Sequence, residues 1–471
     1  MSSRQRIHQI VILLLAGLTF SGHLLAAEAP VQPLNIVVLY ADDWRFDSLG
    51  CAGNPIIQTP HIDALAAKGV RFPRNAVTTS ICGVSRATLL TGQWMSRHGN
   101  PAFEMFKTPW AETYPAILRE RGYHLAHVGK WHNGKFPAAN YDYSRTSPTR
   151  HWVPARGEAG KKGEKVHITA LQEQDALDFF DSRPQDKPFC LTVAFFAPHA
   201  DDPSPAQYLP QPKSMSLYAN DIIPVPATAN EQAFRNLPPF LANDKQEGRR
   251  RWSLRFASEE AFQTSMKNYY RLITEVDAAC GRILDRLKAE GLADKTLILF
   301  TTDNGYFHAE KGLADKWYPY EESIRVPLVV VDPRMDKSLA GMTNNAQTLN
   351  VDLAPTILNA AGAQPTPRMQ GQDMSPLYLG TPASRQAAAK SWRTEFFYEH
   401  STIRDISFIP SSQALVTPEW KYLYWPDFQQ EELFHLTIDP REEQDLAGDE
   451  KSLDTLRDLR ERFAKRRDLA R

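Results

Sequence analysis

Cysteine is scarce in this chain: four in 471 residues, at positions 51, 82, 190 and 280, too few to staple an exported fold together. An excess of charge of either sign is absent too. The 54 lysines and arginines balance 55 aspartates and glutamates to a formal net charge of -1, which excludes the basic footprint of a nucleic-acid binder. An anionic ligand must therefore be held by local charges and not by the field of the whole molecule. Long hydrophobic runs are missing as well. The apolar run at 10–20 is shorter than the roughly 20 residues of a membrane-spanning helix. It follows Arg4 and Arg6 and precedes "HLLAAEAP", where Ala27 suits a signal peptidase. Residues 1–27 read as a secretory signal, and the mature chain as exported, periplasmic or secreted, with no membrane attachment after signal removal. No cysteine follows the cleavage region, which argues against a lipid anchor. Internal repeats and low-complexity tracts are lacking, as are the Cys-x-x-Cys and His-x-x-x-His spacings of zinc sites.

What is present is a globular composition, 42% hydrophobic and 23% charged, long enough for one large domain and a smaller one. Short apolar runs alternate with longer segments of helical period, the pattern of an α/β protein with a mostly parallel sheet. Four of the runs read as buried strands, and each releases polar side chains at its carboxyl end. "LNIVVLY" at 34–40 leads to Asp42 and Asp43; "GYHLAHV" at 122–128 leads to Lys130 and His132; "FCLTVAFF" at 189–196 leads to His199; "TLILFTT" at 296–302 leads to Asp303 and Asn304. Taken singly, an aspartate pair is a turn or a cap and a lone histidine a satisfied surface or core group. Taken together they point to one crevice, because open α/β sheets bind ligands at the carboxyl edge of the strands.

The intervening helices read as structural. "TPHIDALAAKG" starts on Thr59 as N-cap with Pro60 in the first turn and ends at Gly69, which leaves His61 without chemistry. Tyr269, Ile273, Val276, Ile283 and Leu287 recur at helical spacing up to Gly291 and form a core-facing crossover helix.

The stretch "TTSICGVSRATLLTG" at 78–92 puts Cys82 at the head of a helix, with Leu89 and Leu90 on its buried face. A helix amino terminus attracts anions and depresses a thiol pKa, and Arg86, one turn on, offers a guanidinium fork. Cys82 is thereby a disulfide half, a thiolate nucleophile or an oxyanion-site residue. Asp42, Asp43, Asp303 and Asn304 are hard oxygen donors that suit Ca²⁺ or Mg²⁺ rather than zinc.

These residues resemble the type I, formylglycine-dependent sulfatase family of the alkaline-phosphatase-like superfamily. Its signature, Cys-x-Pro/Ala-Ser-Arg followed by Leu-x-Gly-like residues, stands here as Cys82, Gly83, Val84, Ser85, Arg86 and "ATLLTG". The likeness extends through "LYADDWRFDSLG", "GYHLAHVGKWH", "APH", "FTTDNGYFHAEKGLADKWYPYEESIRVPLVV", "TPEWKYLYW" and "EELFHLTIDPREEQDLA", almost the whole mature chain. It implies a large mixed, mostly parallel sheet flanked by helices, with a small C-terminal antiparallel sheet and a helix. It also implies a catalytic domain at 28–365 and a C-terminal subdomain at 366–471. By the same likeness a maturation enzyme converts Cys82 to formylglycine, whose gem-diol is the nucleophile. One Ca²⁺ is bound by Asp42, Asp43, Asp303, Asn304 and the modified Cys82. Arg86 and Lys130 hold the formylglycine, His132 is the base that collapses the intermediate, and His199 and Lys316 contact the sulfate and the leaving-group oxygen. Two departures stand out. Val84 occupies the usual proline or alanine position, which bears on recognition by the maturation enzyme, and Lys311 replaces a frequent histidine and reads as substrate-facing or solvated.

The implied reaction is hydrolysis of sulfate esters on sulfated carbohydrate. A phosphate or phosphonate ester hydrolase of the same superfamily is the alternative, and a non-catalytic glycan binder with unconverted Cys82 a third reading. Sugar alkoxides leave poorly unless protonated, and a positioned acid contributes about 10²- to 10⁴-fold. Past Gly362 the chain turns loop-like, then to short aromatic strands. Leu453, Leu456, Leu459 and Phe463 share a face of the last helix. The segment at 200–252 breaks the strand–helix rhythm and is expected to border the pocket; within it "GRRRW" reads as a glycan grip or as solvated surface. His98, His400 and Arg404 are further candidates.

Overall fold

A computed structural model describes residues 33–102, 104–156 and 163–471; the secretory signal expected at 1–27 lies outside the described residues. Eight strands form one sheet in the order Met342–Thr343, Val70–Arg71, Leu328–Val331, Thr296–Thr302, Asn35–Asp42, Phe189–Pro198, His124–Gly129, Tyr143–Thr146. Asn35–Asp42 lies at its middle and runs parallel to both neighbours, with Val38 opposite Thr192 on one side and Leu299 on the other. Only Leu328–Val331 pairs antiparallel to its neighbours. The sheet is thus mixed and mostly parallel, as expected. Its central strands are continuous apolar runs because helices cover both faces.

The side-chain alternation of Asn35–Asp42 divides the core. Val37, Leu39 and Ala41 pack with Phe179, Ile273 and Val276 from helices Ile168–Ser182 and Glu259–Ala289. Ile36, Val38 and Tyr40 pack on the other face with Leu89, Leu118 and Ile357 from helices Cys82–Thr91, Tyr114–Glu120 and Leu353–Ala360. The helix at Cys82–Thr91 departs from the expected one-sided helix, since all ten residues are buried. One side meets the main sheet through Leu89 and Leu90. Val84, with Ile81, joins a separate apolar cluster built with the C-terminal strands. Gly83 is required by close approach: a Cβ there would stand 2.8 Å from the His132 carbonyl oxygen.

The C-terminal strands Phe396–His400, Ser412–Val416, Trp420–Trp425 and Gln430–His435 form an antiparallel meander, covered by helix Leu453–Ala470. Leu456, Leu459 and Phe463 are buried, whereas Leu453, the first helical residue, is 48% exposed and lies outside the apolar stripe. The meander is fastened to the main domain by polar bonds. Lys311 is neither substrate-facing nor solvated: it is buried, and its Nζ donates to the carbonyls of Arg441 (2.7 Å) and Glu442 (2.6 Å). Lys421 lies buried between Glu321 and Glu442, at 2.7 Å from each.

Glu432 sits in the same seam, accepting from Trp425 Nε1 at 2.7 Å. Burial, with Asp445 adding to it, pushes its pKa up to about 8. Below the ordinary glutamate range the group is protonated folded or unfolded and is neutral for stability. As pH rises to about 8 only the unfolded chain loses the proton, so stability falls; above that the penalty is complete. The Glu432→Gln variant is therefore expected to melt near wild type at about pH 5 and progressively higher than wild type towards about pH 9. Thermal melts across that range check it, and a pH-independent difference would contradict it.

Candidate active site and metal centre

The carboxyl ends of four parallel strands deliver the groups expected of them into one crevice. Asn35–Asp42 ends in Asp42 and continues to Asp43; Thr296–Thr302 continues to Asp303 and Asn304; His124–Gly129 continues to Lys130 and His132; Phe189–Pro198 continues to His199. Cys82 opens its helix against them, and its Sγ lies 3.2 Å from Asp42 Oδ1. Arg86 places Nε and Nη2 at 2.9 and 2.7 Å from Asp303 Oδ2, and Nη1 at 3.0 Å from the Lys130 carbonyl. Lys130 Nζ pairs with Asp42 Oδ2, and Lys316 Nζ with Asp43 Oδ1. His199 Nε2 is 3.5 Å from Asp43 Oδ2.

All three carboxylates are fully buried, and each has a cation against it. Burial alone would force them neutral. For Asp42 that push is outweighed by Lys130, Arg86 and Lys316, which hold its pKa below the ordinary value. Asp43 rises to about 7, through burial first and then Asp42 despite Lys316. Asp303 is raised by burial and by Asp42.

The thiol expectation fails here. Cys82 is pushed well above the ordinary thiol range, by burial first and then by Asp303 and Asp42. The helix terminus loses to desolvation and the two carboxylates. No disulfide involves it, for all four cysteines are free.

The histidines are fixed as neutral rings. His132 falls to about 2, through Lys130's charge first, then burial and Arg86. His199 Nδ1 lies 2.7 Å from the Ala200 carbonyl, an acceptor only, so it carries the hydrogen and Nε2 presents a lone pair to the crevice. Several supporting contacts had no role assigned to them from the motifs. Tyr40 stacks under the Arg86 guanidinium at 5.1 Å, Asn350 Nδ2 donates to Ser85 at 2.9 Å, and Tyr269 OH donates to the Asp43 carbonyl at 2.7 Å. Tyr40 and Ser85 flank the motifs and were within reach of sequence reasoning; Asn350 and Tyr269 come from remote segments with no signal of their own.

Positive-φ backbone gathers in the site and in the segment at 309–317 beside it. Asp43, His132, Ala309, Lys311, Asp315 and Trp317 all have positive φ, between 55° and 81°, and such conformations persist only where the surroundings over-determine them.

Of the two readings of "GRRRW", the glycan grip is the one the ion pairs argue against. Arg249 pairs with Glu231 at 2.9 Å, Arg250 with Glu247 at 2.6 Å, and Arg251 with Glu247 at 2.5 Å and with Asp202. Acidic neighbours from other turns, absent from the quoted run, neutralise it. His98 is structural, taking Asn100 N on Nδ1 at 3.1 Å with Nε2 3.3 Å from Thr88 Oγ1.

The carboxylate and amide oxygens gathered here fit a hard divalent cation, with the Cys82 sulfur and the His199 ring as softer neighbours. One ligand atom each from Asp42, Asp43, Cys82 and His199 lies within 4.8 Å of the others. Asp43 Oδ2 and Asn304 Oδ1 are buried oxygens without a hydrogen-bond partner, although Asn304 spends its Nδ2 on Asp43 Oδ1 at 2.5 Å and the Gly305 carbonyl at 3.0 Å. Buried oxygens left this way are what an oxygen-seeking ion would satisfy.

Comparison with known proteins decides the family. The sulfatase family model matches residues 34–363, about 70% of the chain. The chain belongs to the sulfatase family. A second model, N-sulphoglucosamine sulphohydrolase, C-terminal, matches residues 309–468. An N-acetylglucosamine-6-O-sulfatase of Bacteroides thetaiotaomicron is 28% identical over 93% of this chain and 87% of its own. An arylsulfatase of Clostridium perfringens is 26% identical over 88% and 90%. Among solved structures, one in complex with its substrate D-glucosamine-2-N,6-O-disulfate superposes with a TM-score of 0.75 at 24% identity, covering 93% of this chain and 98% of that one. The phosphonate monoester hydrolase of Agrobacterium radiobacter gives 0.76 at 22%, over 93% and 96%. The sulfatase is a sulfuric ester hydrolase.

His151 holds the catalytic edge from behind. Fully buried, it accepts Leu209 N on Nδ1 at 3.1 Å and places Nε2 2.9 Å from the His199 carbonyl. The first bond fixes the tautomer, so the second is a donation. Glutamine keeps a donor near the Nε2 position and asparagine does not. The His151→Asn variant is expected to lose roughly 10- to 100-fold in kcat/KM and His151→Gln much less, measured by aryl sulfate hydrolysis; equal losses in both would rule out a role through that bond.

Proposed function

We propose that this sulfatase is exported and hydrolyses sulfate esters on sulfated carbohydrate, with Cys82 converted to formylglycine by a maturation enzyme beside one Ca²⁺ held by Asp42, Asp43, Asp303 and Asn304. The observation that carries the reading is the crevice: a buried cysteine opening a helix beside three buried carboxylates and three cations, with two buried oxygens that have no hydrogen-bond partner among the described residues. The sugar substrate is supported by relatives named N-acetylglucosamine-6-O-sulfatase and N-acetylglucosamine-6-sulfatase, the latter of Capra hircus at 26% identity.

The conversion supplies a hydrated aldehyde, an oxygen nucleophile in place of the thiol. The cation, when bound, draws charge from the sulfuryl oxygens. The rest falls to the chain's own residues. Arg86 and Lys130 flank residue 82 and hold its oxygens by charge-assisted hydrogen bonds. Lys316, kept charged by Asp43 against the cost of its burial, and His199 Nε2 address the leaving-group side. There the residue-82 oxygen bonds to sulfur as the bond between sulfur and the sugar oxygen breaks, and the sugar oxygen takes up a proton from Lys316, since the neutral His199 ring offers only a lone pair at Nε2. His132, a neutral ring, is ready to accept a proton at the step that frees sulfate and restores the aldehyde.

Mass spectrometry of the peptide containing residue 82 is expected to show formylglycine in the exported protein, with the mature chain starting near residue 28. The Cys82→Ser variant is expected to fall at least about 10³-fold in multiple turnover. Chelation should abolish aryl sulfate hydrolysis and Ca²⁺ restore it. An unconverted, inactive cysteine with intact glycan affinity would replace this reading with that of a glycan binder, and preference for aryl phosphate or phosphonate over aryl sulfate would replace it with that of a phospho-ester hydrolase.

A further inference from the structure

A pocket of about 470 Å³ opens where the C-terminal meander meets the loop that carries Lys316. Its wall includes Trp317, the next residue along that loop, and Arg251, whose Nε is 3.7 Å from Asp315 Oδ2 in the same loop. The turn that follows strand Phe396–His400 also lines it, through Arg404 and Phe408 among others. The volume falls in the range of small-molecule sites, about 300 to 1,000 Å³, and two aromatic rings with interspersed polar groups suit a sugar ring.

The charges of the lining are unequal in one respect. Arg251 is neutralised by Glu247 and Asp202, Glu247 by Arg250 and Arg251, and Glu104 by Lys107. Arg404 alone among the charged lining residues has no ion pair within 4 Å among the described residues, although the exposed Asp405 carboxylate next to it lies within electrostatic reach. The Arg404 side chain is exposed, and only ring stacking and the closed turn beneath it orient the guanidinium. It lies 4.3 Å from the centre of the Phe408 ring, and the turn is closed by Ile403 N to Ile409 O at 3.0 Å and by Asp405 Oδ1 accepting from Ser407 N at 2.8 Å and Phe408 N at 3.1 Å. Arg404 itself adopts φ 61°. A stacked, positioned fork with its donors unspent is what bidentate anion recognition uses.

We propose that Arg404 binds a second anionic group on the sugar that carries the scissile sulfate, so that the sulfatase selects doubly charged sugars. The inference rests on the sugar-sulfatase reading above and adds the substrate's second charge to it. The chemistry on the Arg404 side is that of an N-sulfate, a second O-sulfate or a carboxylate.

The test compares 6-O-sulfate release from glucosamine-2-N,6-O-disulfate and from N-acetylglucosamine-6-O-sulfate, which differ in the charge on the 2-nitrogen. The wild-type sulfatase is expected to favour the disulfate by about 10-fold or more in kcat/KM. In Arg404→Ala the disulfate should lose about 10- to 100-fold, chiefly through KM, while the monosulfate stays within about twofold; Arg404→Lys should recover part of the loss. Equal losses on both sugars, or none on either, would overturn the subsite and leave the sugar reading standing, as would a wild type that gains nothing from the second charge. Turnover of aryl sulfate with neither sugar cleaved would overturn the sugar reading, and the subsite with it.

Discussion

Three carboxylates buried together against three cations are the constraint from which the rest of this structure follows. Asp42, Asp43 and Asp303 have no access to water, and isolated ions there would each cost several kcal/mol. Arg86, Lys130 and Lys316 offset that cost by direct pairing. The six groups come from five separate segments, so the electrostatics and the topology are one problem. Only a sheet whose parallel strands all end at one edge brings them within pairing distance.

The same convergence explains the strain. Asp43 and His132 turn sharply off the ends of two strands, and Asp315 and Trp317 bracket Lys316. Unfavourable backbone at Asp43 and His132 keeps their side chains aimed at the crevice, while Asp315 pairs with Arg255 and Trp317 faces the neighbouring pocket. The apolar clusters on both faces of the sheet supply the stability that makes this tolerable. The all-buried helix Cys82–Thr91 is the extreme case. It gives up an exposed face in order to wedge residue 82 between the sheet and the C-terminal meander.

The meander takes part in that wedge. Tyr398 OH donates to the Trp317 carbonyl at 2.8 Å, and Trp94 Nε1 to that of Phe397 at 2.8 Å. Lys311 and Lys421 bind across the same seam. The loop that carries Lys316 is therefore braced from the C-terminal side, and the turn that bears Arg404 is braced with it.

The sequence alone marked four strands of the main sheet and the polar residues that follow them, because a doubly buried strand must be an unbroken apolar run and whatever follows it must lie at the sheet edge; Lys316 came only with the family resemblance. "TLILFTT" is a strand over those seven residues, and Asp303 follows it. Tertiary structure alone decided what surrounds each group. Burial and two carboxylates reversed the expected acidity of Cys82, acidic residues from other turns absorbed the arginine run at 249–251, and two backbone carbonyls drew Lys311 inward. His151 and Asn350 gave no signal at all. A residue's type and its neighbours along the chain are local facts, whereas desolvation and charge pairing depend on what distant segments bring alongside, and that is fixed only when the chain has folded.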